Sequence, residues 1–143
     1  MLIDANILLY AADESSPFHR EAKDWLSDAL NGSSRMAIPW QSIVAFLRIS
    51  THERASAHPL SPADALQIAQ EWLDSEMVWS PVEGPRHADL LAGLIAKYNL
   101  RGNLISDGQL AALAIEHGLQ LCSADTDFAR FTELGWINPV VPA

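Results

Sequence analysis

Three aspartates stand where apolar sequence breaks off. Asp4 ends the run Met1-Leu2-Ile3, Asp107 lies in the opening turn of the apolar stretch Leu104 to His117, and Asp125 follows Leu121-Cys122-Ser123. Asp127 comes two residues later, within SADTDF. Carboxylates gathered in one cleft repel unless protons or a cation intervene. A hard divalent ion with oxygen ligands is the natural partner, and Mg²⁺ or Mn²⁺ fits it. Such an ion lowers the pKa of a bound water and stabilises charge on a phosphoryl oxygen. Each position also has a purely structural reading. Asp4 would cap a helix starting near Asn6, and Asp107 would favour the dipole of a first helical turn. In SADTDF one aspartate should cap the turn over Phe128; Asp127 is expected to do so, leaving Asp125 to face the cleft.

The elements that must position these residues are short and alternate. Met1 to Ile3 reads as a buried strand, and Asn6 to Ala12 as the start of a helix. Ser16-Pro17 places an N-cap before a proline at the first helical position. The helix it opens carries Phe18, Ala22, Trp25, Leu26 and Ala29 and should stop at Asn31-Gly32. Arg35 to Pro39 is a strand, and Gln41 to Ser50 an amphipathic helix. Ser61-Pro62 repeats the cap-and-proline signal before a helix faced by Ala65, Leu66, Ile68, Ala69, Trp72 and Leu73. Met77 to Ser80 is a strand, and Pro85 opens a helix ending near Asn99. The helix over Leu104 to His117 is closed by Gly118. Leu121 to Ser123 and Trp136 to Val141 are the last strands, with Pro139 marking an edge. Helices alternating with apolar strands predict an α/β fold with a short parallel sheet covered on both faces. Function in such sheets gathers beyond the carboxyl ends of the strands, where Asp4 and Asp125 fall.

Composition narrows the classes. The 143 residues predict a single domain over 1–143, with roughly two-thirds of the extended surface buried. Cys122 is the only cysteine, so no disulfide forms within the chain. No apolar run reaches the ~20 residues that span a bilayer. The opening Met1-Leu2-Ile3-Asp4 lacks the basic start of a signal peptide, and the cytoplasm is the expected compartment. Eighteen acids against nine bases give a net charge of −9. That argues against a nucleic-acid module working through a basic patch, but not against an enzyme that reaches a phosphate through a metal held by its own carboxylates.

The segments LIDANILLYA, PWQSIVAFLRIST, RGNLISDGQLAALAIEHGLQL and SADTDFARF together resemble a PIN-domain ribonuclease, and more narrowly the toxin of VapC-type toxin–antitoxin pairs. The resemblance spans nearly the whole chain. It implies a three-layer α/β/α sandwich and Mg²⁺- or Mn²⁺-dependent endoribonuclease activity on an RNA substrate, tRNA or another structured RNA. It also implies a cognate antitoxin and a homodimer. Asp4, Asp107 and Asp125 match the family's acidic residues, with Asn6 steadying the first and Ser123 in the place of a hydroxyl residue beside the last. One departure stands out. Many members carry a glutamate in a pattern like S-x-x-E-F-L-R, and Ala45 occupies that position here. Glu53 is eight residues on and too far to replace it. The cage therefore keeps three carboxylates, enough for one Mg²⁺, which retains several waters anyway.

Arg48, one turn beyond Ala45 on the same helical face, could contact a phosphate, with an ordinary salt bridge as the alternative. Arg101 and Arg130 could line the rim. Trp25 and Trp72 read as core, and their apolar faces are the sequence's own ground for a homodimer. Trp40 is the tryptophan expected to be exposed. His19 and His117 are expected on solvated helix ends, and none of His19, His52, His58, His87 and His117 has zinc-site spacing. Three functions follow: a metal-dependent endoribonuclease; a PIN-like module crippled at Ala45 that holds RNA or a protein without cutting; and a phosphoryl-handling receiver or dehalogenase, suggested by D-x-N. The last needs a late lysine, and the only lysines are Lys23 and Lys97.

Overall fold

The computed structural model describes residues 1–140. Five two-residue strands form one parallel sheet in the order β3-β2-β1-β4-β5: β1 (Leu2–Ile3), β2 (Met36–Ala37), β3 (Val78–Trp79), β4 (Leu121–Cys122) and β5 (Trp136–Ile137). Leu2 pairs with Ala37 on one side and Leu121 on the other, and Ile3 with Cys122. Successive residues of a strand face opposite ways, and the two cores follow that alternation. Ile3, Met36 and Cys122 pack with α1 (Ala5–Ala12), α2 (His19–Leu30), α3 (Trp40–Ser50) and α4 (Pro62–Asp74). Leu2, Ala37 and Leu121 face α5 (His87–Tyr98) and α6 (Asn103–Glu116). This is the expected three-layer α/β/α sandwich. Short strands suffice because both faces of the sheet are buried in helices.

The helix boundaries separate two signals that look alike in sequence. Ser61 is the N-cap of α4, its hydroxyl accepting the Asp64 N–H at 3.1 Å, with Pro62 at the first helical position. Ser16 is not a helix cap. Its hydroxyl accepts the Phe18 N–H at 3.1 Å in a preceding turn, and α2 starts at His19. At the far end of the chain, β5 is an edge strand as Pro139 suggested; Val141, assigned to it from sequence, lies outside the described residues.

Other expectations change more. Trp72 is packed edge-on against Phe46 at 4.9 Å, and Trp25 packs against the same core. Trp72 and part of Trp25 are thus covered within the molecule, while Phe18 and Leu66 beside them stay exposed. His19 and His117 are half-buried rather than solvated: His19 Nδ1 lies 3.0 Å from the Tyr10 carbonyl and His117 Nε2 2.8 Å from that of Val82. Cys122 is buried, and its surroundings push the thiol pKa up to about 12, so it is inert packing.

Candidate metal centre

Strand order places the site. From β1 the sheet grows outward through β2 and β3, then restarts on the other side of β1 with β4 and β5. The carboxyl ends of β1 and β4 flank the resulting switch point, where open α/β sheets bind their ligands. Asp4 leaves β1 there, and Ser123 leaves β4.

Asp4 is the N-cap of α1, and its Oδ1 accepts the Ala5 N–H at 2.7 Å. Its Oδ2 accepts from Ser123 Oγ at 2.6 Å and from Asn6 Nδ2 at 3.3 Å. Asn6 also donates to Ser123 Oγ at 3.0 Å and accepts the Ala124 N–H at 3.2 Å. Ser123 Oγ in turn accepts the Asp125 N–H at 3.0 Å. A single side-chain network thus ties the end of β1 to the end of β4. Burial raises the Asp4 pKa; the bonds from Ser123 and Ala5 oppose that rise, and the charge of Asp125 adds to it.

Asp107 sits one full turn into α6, so the first-turn dipole argument does not apply to it. Carboxylate oxygens of Asp107, Asp125 and Asp127 all lie within 4.8 Å of one another. Burial, then the charges of Asp125, Asp4 and Asp127, push the Asp107 pKa up to about 6. Asp125, not Asp127, caps the following turn, its Oδ1 accepting the Asp127 N–H at 2.8 Å. That corrects the sequence assignment. The correction brings Asp127 from a supporting place into the trio, with Asp4 held alongside. A three-residue D-x-D spacing across a tight turn was the available signal, because such a turn brings both carboxylates to one side.

The neighbouring segments are fastened to this point. Ser42, buried at the start of α3, donates to the Ile3 carbonyl at 2.7 Å. Gln41 Nε2 donates to the Ser106 carbonyl at 2.9 Å, next to Asp107. Sequence reading passed over both; their signal was two polar residues at the head of an otherwise apolar helix. Ala45 follows Gln41 by four residues and shares its face. Arg130 Nε donates to the Asp127 carbonyl at 3.1 Å, and its Nη2 lies 3.5 Å from Asp127 Oδ1. Arg48 is exposed near the end of α3 and forms no ion pair among the described residues. A concavity of about 910 Å³ lies elsewhere, lined by Leu9, Tyr10, Phe46, Ile49 and Leu60, and holds none of the clustered acids.

The model of the PIN domain family matches residues 1–134. The chain belongs to the PIN-domain family. Within it, the chain belongs to the VapC group. It is 42% identical to "Ribonuclease VapC33" of Mycobacterium tuberculosis over 137 residues, 96% of each chain, and 36% identical to "Ribonuclease VapC37" of the same organism over 138 residues, again 96% of each. Among solved structures, the PIN fold here resembles a chain of VapBC2 from Rickettsia felis bound to a promoter DNA fragment. That match has a TM-score of 0.66 and 16% identity and covers 96% of both chains.

The donor set suits a hard divalent ion. All the gathered ligand atoms are carboxylate oxygens, with no thiolate or imidazole among them. The raised Asp107 pKa comes first from burial and then from the neighbouring charges of Asp125, Asp4 and Asp127, both of which a bound cation would offset.

Proposed function

We propose that this PIN domain is a divalent-metal-dependent endoribonuclease, with Mg²⁺ or Mn²⁺ as its ion, acting as the toxin of a toxin–antitoxin pair. The observation that carries the reading is the carboxylate trio at the β1–β4 switch point of a VapC-type chain. Asp107, Asp125 and Asp127 would hold the ion, with Asp4 beside them. A divalent ion so held lowers the pKa of a water and neutralises charge on a phosphoryl oxygen.

The chain's own residues supply orientation. Asn6 and Ser123 fix the Asp4 carboxylate, and the two bonds to Oδ2 leave only Oδ1 with a free lone pair. Asp4 therefore presents one oxygen in one direction, as preorganised catalysis requires. The Asp125 cap and the Ser123 bond to the Asp125 N–H hold the acidic turn rigid. Arg130, tied to Asp127, places a guanidinium at the rim.

An antitoxin partner is supported by relatives in complexes named as VapBC and "Toxin-antitoxin complex". The reading as a non-cutting module rests on Ala45 alone, and the carboxylate trio does not depend on that position.

The test is calorimetry with Mn²⁺ together with cleavage of total tRNA, on the wild type and on Asp107→Asn. The expected result is at least a tenfold loss of Mn²⁺ affinity and no detectable cleavage in the variant. Equal affinity in both proteins would remove Asp107 from the site.

A further inference from the structure

We propose that Trp40 is the base-stacking platform of this site, holding an unpaired RNA base at the mouth of the acidic cluster. The inference rests on the reading above that the chain cuts RNA. Trp40 opens α3, directly after the carboxyl end of β2 and Pro39. The next two residues are bonded to the segments that carry the acids: Gln41 to the Ser106 carbonyl beside Asp107, and Ser42 to the Ile3 carbonyl beside Asp4. The head of α3 is thereby fastened to both segments.

The ring itself is free. Trp40 is 55% exposed and has neither a ring partner nor a bond to its indole N–H among the described residues. The other tryptophans are engaged. Trp25 packs against the α1–α4 core, Trp72 packs on Phe46, Trp79 packs on His117, and Trp136 donates to the Ser123 carbonyl. Trp40 is thus the tryptophan whose ring is left bare by the fold, at the head of the helix fastened to the acid-bearing segments.

Charge points the same way. With nine bases against eighteen acids, counterion release supplies little affinity for a polyanion. The guanidinium tied to the cluster, that of Arg130, is already bound to Asp127. Stacking on an aromatic ring does not depend on net charge, and every base offers a π-face. Only an unpaired base has that face free, so the platform selects loops and single strands over duplex RNA. Val44, also 55% exposed, and Arg48 continue the same exposed stripe of α3 at four-residue steps, about 12 Å from Trp40 to Arg48. A strand leaving the stacked base would run along that stripe and meet a cation at its end.

The experiment measures the anisotropy of a fluorescein-labelled RNA hairpin with a single-stranded loop, at fixed Mg²⁺, in the Asp107→Asn background so that the probe stays whole. Adding Trp40→Ala should weaken binding about 5- to 150-fold. Trp40→Phe should recover most of the loss. The slope of affinity against salt should be the same in all three proteins, because no phosphate contact is removed. In the otherwise wild-type chain, Trp40→Ala should raise KM and leave kcat within about threefold. Unchanged affinity in Trp40→Ala, with Asp107→Asn still blocking cleavage, would overturn the platform and leave the nuclease intact. A changed mass in light scattering with RNA affinity retained would make Trp40 an interface residue and overturn it equally. If the wild type neither binds nor cuts RNA, both readings fall.

Discussion

Asp4 carries two tasks on one carboxylate. Its Oδ1 caps α1, while its Oδ2 is gripped by Ser123 and Asn6 from across the sheet. The capping role inferred from spacing is thus met, while the carboxylates that gather within 4.8 Å of one another are those of Asp107, Asp125 and Asp127, with Asp4 outside that trio. Residue 45 allows a direct test of how the helix beside it faces. Ala45 lies one turn beyond Gln41, whose amide reaches the Ser106 carbonyl, so Ala45→Glu should aim a further carboxylate toward Asp107. Calorimetry should show tighter Mn²⁺ binding, because hard cations gain from each carboxylate. Cleavage should change by less than about tenfold, or ~1.4 kcal/mol of barrier, since added negative charge also repels the phosphate. Unaltered Mn²⁺ affinity would mean that this face of α3 points elsewhere. Asp4 and Asp125 were readable from sequence as residues at the ends of apolar strands, whereas Asp107 lies one full turn inside α6 rather than in its opening turn, and Asp127 is not the cap of the turn that its spacing suggests. Which aspartate of SADTDF caps the turn was not readable, because both spacings satisfy an Asx-type turn. Only the backbone of residues 125–130 decides it.

At the scale of the elements, Ser16-Pro17 and Ser61-Pro62 are the same dipeptide with different outcomes. Ser61→Ala removes a true N-cap and should cost about 1 kcal/mol in urea unfolding. Ser16→Ala removes only a bond in the turn before α2 and should cost roughly half of that or less. Equal losses would mean that Ser16 acts as a cap in solution. The number and order of elements were legible from hydrophobic spacing and punctuation, because each short strand lies between clear helix signals. The start of α2 was not, since the cap signal is local while the first turn is decided by Tyr10 packing on Phe18 and by His19 reaching the Tyr10 carbonyl. Trp72 and Trp25 were legible as core residues from their place on apolar helical faces, and both pack against the α1–α4 core.

For the whole molecule, the acidic site and the rest of the surface respond to pH with opposite signs. Asp107 has a folded pKa near 6, above its ordinary 3.8. Its contribution favours folding below about pH 4 and is lost as pH rises through 6. Glu133 is held down to about 2 by Lys97 and Tyr98, so its contribution is present above the ordinary 4.5 and lost in strong acid. Metal-free protein should therefore show a fall in Tm between pH 4 and 7 that Asp107→Asn flattens, and saturating Mn²⁺ should raise Tm most at the upper end of that window. A metal-free Tm that rises through the window in the wild type, with no effect of the substitution, would argue against uncompensated charge at the cluster.

The bond from Ser123 to Asp4 spans 119 residues of chain. A ribosome must have made nearly the whole domain before β4 can slot beside β1, and pairing so distant in sequence is slow to close. Ion binding should therefore be absent from nascent chains stopped before Leu121 and appear only once the SADTDF segment has emerged. Incomplete forms of the chain lack one wall of the site, so on the proposed reading the domain gains its ion only when its synthesis is nearly finished.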